Sequence, residues 1–202
     1  MAFNTEVANL ALLHLGVSNK TIANLETERS AEANVCRMFY DRALETVLRD
    51  YAWPFATTFA ALNLIEENPN DEWDFSYQYP SDCVRMKRIL SGIVEVQASD
   101  RIVYKLASKA SGKIILTNQE KAQLEYVRKI DDPNLMTADF IMAFSFKLAH
   151  YMAPSLAGGD PFKLGERAKN NYLEEISEAR SNAFNEEQSD ITNESEFTRS
   201  RV

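Results

Sequence analysis

The residues of this chain with chemically useful side chains are two histidines, two cysteines and a few paired carboxylates. His14 and His150 each fall inside a predicted helix, and neither has a carboxylate three or four residues away to complete a built-in acid–base pair. Both are expected at polar positions in or beside a core. Cys36 stands at helical spacing with Phe39, Tyr40 and Ala43, which predicts a buried thiol. Cys83 is far away in sequence, so the two cysteines give neither a disulfide framework nor zinc-ligand spacing. Asp131-Asp132 reads as a solvated loop and Glu174-Glu175 as a solvated helix face. There is no phosphate-binding glycine loop, HExxH or nucleophile elbow. The expectation is a protein that is not an enzyme and has no metal or cofactor.

Charge is more informative. Residues 1–83 hold 5 Lys+Arg against 13 Asp+Glu, residues 84–130 hold 10 against 4, and residues 131–202 hold 7 against 13. An acidic chain of net charge −8 thus contains one cationic block of +6. Broad nucleic-acid binding, which draws its affinity from phosphate neutralisation, is disfavoured. Within the block, Arg85-Met86-Lys87-Arg88 reads either as the wet face of an edge strand or as a docking patch for an acidic neighbour, a second copy included. Trp73 and Phe75 fall in a polar, proline-containing stretch predicted as loop; core packing and partner contact are both open for them. Phe197, Arg199, Arg201 and Val202 end an otherwise acidic, polar tail and resemble an anchor-plus-charge segment that orders on binding.

These residues need elements to position them. A first helix is expected over 5–15, capped by Asn4 or Thr5, with Val7, Leu10, Ala11 and Leu15 on one face, Leu12 and Leu13 widening it, and Gly16 ending it. A second helix is expected from Thr27 to Tyr51, stopped by Trp53-Pro54-Phe55, with Trp53 plugging the bundle end. The middle predicts five or six short, largely antiparallel strands: 57–65, 82–90, a hairpin of 93–96 with 102–106, then 114–117 and 123–130. Residues 66–72 read as a turn. A third helix, Thr137 to Met152, is apolar nearly all round and belongs at the centre of the bundle. Ala153-Pro154 and Gly158–Pro161 form the next turn, and a fourth helix, with Asp160 as cap and Pro161 first, runs to about Asn185. The fold class is α+β, a mainly helical bundle (1–56 and 131–185) with an inserted β-rich lobe (57–130) and an extended tail (186–202).

Several of these segments together resemble the tail tubular protein A family, the head-to-tail adaptors (gatekeepers) of short-tailed bacteriophages. They are Val7-Ala8-Asn9-Leu10-Ala11-Leu12-Leu13-His14-Leu15-Gly16 with Ile22 and Leu25-Glu26 after it, Tyr51-Ala52-Trp53-Pro54-Phe55, and Tyr79-Pro80-Ser81-Asp82-Cys83-Val84-Arg85. The late helical pair Phe140–Met152 and Arg167–Arg180 completes the likeness, which spans roughly residues 4–183. The resemblance implies a virion structural protein at the head–tail junction, assembled in the host cytoplasm. It implies a homo-oligomeric ring of twelve copies between the portal protein and the tail nozzle protein, extending the channel through which DNA passes without specific binding. Twelve copies would carry a charge of about −100, which repels DNA from the channel wall.

The tail residues Phe197, Arg199, Arg201 and Val202 would then reach the portal; 17 residues span up to about 55 Å when straight. Arg85, Lys87, Arg88, Trp73 and Phe75 would face the nozzle or a neighbouring subunit. Two other functions stay open: a tail-associated polysaccharide hydrolase, which needs a carboxylate pair in a cleft lined by Trp73 and Tyr77, and a non-viral binding module. No apolar run approaches the ~20 residues of a membrane span, and Met1–Glu6 lacks a secretory start, so no membrane partner is expected.

Overall fold

The structure, a computed structural model, describes residues 2–17, 20–92, 101–110, 112–130, 132–157 and 160–186. Over these the chain is α+β, with four helices and seven strands in two antiparallel sheets.

Helix α1 spans Ala2–His14. It begins earlier than the caps expected at Asn4 or Thr5, because both side chains serve other segments. Asn4 Oδ1 accepts from the Tyr40 hydroxyl and Thr5 Oγ1 from the Leu25 amide. Its end is as predicted: Gly16 has φ +72°, its N–H reaches Leu13 O, and the Val17 N–H reaches Leu12 O. That is a Schellman stop, in which glycine takes the left-handed conformation without penalty. Leu12 is buried, but Leu13 is half-exposed, so the apolar face is narrower than expected. Helix α2 spans Ala31–Asp50 rather than starting at Thr27. The residues before it are tied into a turn by Asn24 and Glu28, and Ser30 caps it by accepting from the Ala33 amide.

Trp53 plugs the end of the helical layer. It is buried, donates from Nε1 to Val47 O at 2.9 Å, and meets Phe140 edge-on. After a 3-10 turn (Pro54–Ala56), the expected single strand 57–65 is in fact two: β1 (Thr57–Ala61) and β2 (Leu64–Asn70). The expected turn at 66–72 is mostly β2, and Trp73 and Phe75 lie in β3 (Trp73–Gln78), not in a loop. β2 is an edge strand with two bulges, which tolerates Pro69 and an Asn68 at φ +51°.

Next come β4 (Cys83–Ile89), β5 (Tyr104–Lys109), β6 (Gly112–Thr117) and β7 (Gln123–Arg128). Residues 93–96, the first arm of the expected hairpin, and the turn after it lie outside the described residues; β5 pairs with β6. One sheet has the order β1-β7-β4, the other β2-β3-β6-β5. Their facing sides share a core of Tyr77, Ile89, Ile115, Leu124 and Tyr126.

Helix α3 (Ala138–Leu156) is capped by Thr137 and runs on through Ala153-Pro154, where a turn was expected; Pro154 sits in its last turn. It packs against the other three helices, as its all-round apolar character required. Helix α4 (Pro161–Glu186) starts on Asp160, whose carboxylate accepts from the Lys163 amide. The two helices approach closely at Gly165, where a Cβ would stand 3.1 Å from that of Ala153. The helical core also takes in Val127 and Ile130 from the strand block, so alternate residues of β7 serve both cores.

Candidate functional site

Among the described residues strand β4 is one edge of the β1-β7-β4 sheet, and Arg85, Lys87 and Arg88 on it are exposed. A bulge between Met86 and Arg88 lets two successive residues reach one partner. Lys87 Nζ lies 2.7 Å from Glu125 Oε1 and Arg88 Nε 2.6 Å from Glu125 Oε2. Burial pushes the Glu125 carboxyl up, but the two cations outweigh it and hold it below the ordinary carboxylate range. On the other side of Glu125, in register with it, stands Phe59 of β1, 62% exposed. Cross-strand partners share a face. The outer side of this sheet therefore carries an aromatic ring beside a Lys–Glu–Arg triad. Phe59 had no signal in the sequence, since only its pairing with Glu125 sets it there.

Arg85 turns elsewhere, donating from Nη1 to Arg49 O at the end of α2. Phe75 is half-buried against the core between the sheets, and Trp73 is half-buried with Nε1 enclosed and unpartnered among the described residues. Tyr77 is buried, its hydroxyl donating to Gln119 O, and so lines no cleft. Phe197, Arg199, Arg201 and Val202 lie outside the described residues.

The histidines are polar groups beside the helical core. His14 Nε2 is 3.0 Å from Ser145 Oγ, a contact that superficially resembles a nucleophile and its base. The direction is wrong for that role. Ser145 is fully buried and its hydroxyl donates to Met142 O at 2.8 Å, so the His14 N–H donates to the serine and no proton leaves it. Burial lowers the His14 pKa and keeps the ring neutral, stacked on Phe146. His150 donates from Nδ1 to Gly165 O at 2.9 Å, joining α3 to α4. The Cys36 thiol, pushed up to about 12 by burial, sits 3.1 Å from Met152 Sδ. Among the described residues no three His, Cys, Asp or Glu side chains are placed to hold a metal ion. None of their helices is long and apolar enough to cross a membrane.

A groove of about 770 Å³ lies between α2 and the strand layer, with Arg42, Arg49, Lys113, Lys129, Asp82 and Cys83 among its walls. Its cations come from segments more than 60 residues apart, which is why no local pattern marked it.

No protein-family model matches the chain, and no curated protein matches it.

Proposed function

We propose that this chain is the subunit of a ring-shaped head-to-tail adaptor of the short-tailed phage kind, a virion component that joins portal to tail nozzle and extends the DNA channel. The observation that carries the reading is the outer face of the β1-β7-β4 sheet. There a phenylalanine 62% exposed stands in register with a buried carboxylate that holds two cations, so an apolar ring and charges of both signs share one accessible surface. An aromatic anchor with a charged surround is what a protein–protein contact uses. Phe162, 81% exposed in the first turn of α4, offers a second anchor on the helical layer. Support also comes from where the resemblance falls: Leu15-Gly16 stops α1, Trp53-Pro54-Phe55 joins helices to strands, and Tyr79–Arg85 brings β4 back to α2.

In this reading Phe59, Lys87 and Arg88 face the nozzle or the next of twelve subunits, while Arg85, turned to the end of α2, and Trp73 and Phe75, in the other sheet, are not part of that face. The terminal Phe197, Arg199, Arg201 and Val202 dock on the portal. The task is assembly, with no bond broken. Mixing the chain with its cognate portal ring tests this by electron microscopy and native mass spectrometry: monomers alone, a ring of subunits on the portal. Phe59→Ser should leave thermal stability unchanged and weaken nozzle or neighbour contact at least tenfold; a chain ending at Asn185 should not hold the portal. A chain that stays monomeric beside the portal at tens of micromolar sinks the proposal.

A further inference from the structure

We infer that the groove between α2 and the strand layer is the seat of the acidic stretch 187–196 of the same chain. The groove is cationic in a molecule that is otherwise acidic. Of its two wall carboxylates Glu45 is paired with Lys129 at 3.2 Å, whereas Asp82 accepts from the neutral Tyr126 hydroxyl at 3.1 Å and keeps its charge, one against the three cations that follow. Arg42 and Arg49, two turns apart on one exposed side of α2, have no carboxylate within ion-pair distance among the described residues. Across from them Lys113 rests over the Tyr79 ring and likewise has no anionic partner there. Three unpaired cations facing one space call for an anionic ligand with several charges.

The position of the chain end supplies it. In α4, Arg180 donates to Asp50 O at 3.1 Å and lies over the Tyr51 ring, so α4 passes the residue that follows Arg49. The helix continues six residues, about 9 Å, to Glu186. Residues 187–196 then hold Glu187, Asp190, Glu194 and Glu196 and no Lys or Arg. Ten extended residues cover up to about 33 Å, and the tether keeps their effective concentration near the millimolar range. The basic end, from Phe197 on, stays outside the groove and free for a partner. This inference concerns the isolated subunit and stands whether or not the chain forms a ring.

Cys83, half-exposed in the groove wall, is a built-in reporter, whereas Cys36 is fully buried. In the full chain carrying Ser189→Cys, oxidised glutathione at pH 8.5 should produce an intramolecular disulfide between Cys83 and the introduced thiol, read by mass spectrometry as a monomer two mass units lighter. Adding Arg42→Glu and Arg49→Glu, both exposed positions, should slow the cross-link at least tenfold, as should 0.5 M NaCl. Glu187→Lys with Asp190→Lys should restore it in the arginine variant. The inference is overturned by an absent cross-link, by a rate indifferent to the arginine reversal, or by covalent dimers, which would seat a second copy's tail there. It falls equally if no cross-link forms while a short DNA duplex binds in an Arg42- and Arg49-dependent way.

Discussion

Replacing Lys87 and Arg88 together by methionine should cost far more stability than replacing Glu125 by glutamine. The three side chains form one cluster, but water reaches its members unequally: the Glu125 side chain is 7% exposed, those of Lys87 and Arg88 31% and 47%. Removing the cations strands a buried carboxylate, a change worth about 3–5 kcal/mol. Removing the carboxylate leaves two cations that can turn to solvent, so the loss is nearer that of surface pairs, about 1 kcal/mol. In urea, with a slope of about 2 kcal/mol per molar for a small protein, the double variant should unfold roughly 2 M earlier and Glu125→Gln about 0.5 M earlier.

The pH dependence follows from the same cluster. The folded Glu125 carboxyl titrates below its unfolded value, so its contribution is fully present above the ordinary carboxylate pKa near 4.3 and is lost as pH falls through the folded value. In the double variant this acid-side loss should vanish or reverse. Equal midpoints for the two variants, or a larger loss for Glu125→Gln, would refute the claim that Glu125 depends on its cations more than they depend on it.

His14→Gln should flatten stability as pH falls below about 6.5. Burial lowers the folded His14 pKa, so the unfolded chain takes up a proton first and wild-type stability declines over that range; identical slopes in urea melts would count against the burial argument. Gly16→Ala should cost about 1–2 kcal/mol from its φ of +72° alone, because no atom lies within 4 Å of the added Cβ. Gly165→Leu should cost about 1–3 kcal/mol for the opposite reason, crowding against Ala153 in an ordinary backbone conformation, and calorimetry of both variants separates strain from packing.

The helices were legible because their signals are local. Gly16 as a stop and Asp160-Pro161 as a start each depend on neighbours within four residues, and both stand where the sequence puts them. Sequence and structure part where a distant partner decides the outcome. Asn4 and Thr5 have the chemistry of caps, yet Tyr40 and Leu25 claim them. Glu66-Glu67-Asn68-Pro69 has the composition of a turn, yet the paired strand β3 holds it extended at a sheet edge. Pro154 has the chemistry of a breaker but falls at an exposed position in the last helical turn, while Ala153 before it packs closely on α4 at Gly165. Of the candidate site, the basic run was visible, whereas Glu125 beneath it and Phe59 beside it depend on strand register. The groove's arginines and lysines meet only through folding.

Strand β7 sends Leu124 and Tyr126 into the core between the sheets and Val127, followed by Ile130, into the core among the helices. One short segment is thereby clamped on both sides, in the manner of a shared beam between two rooms. A pull or twist delivered to either half is carried across by it together with the contact of β4 on α2, so the halves should yield together when stretched, in a single rupture with no half-unravelled stage.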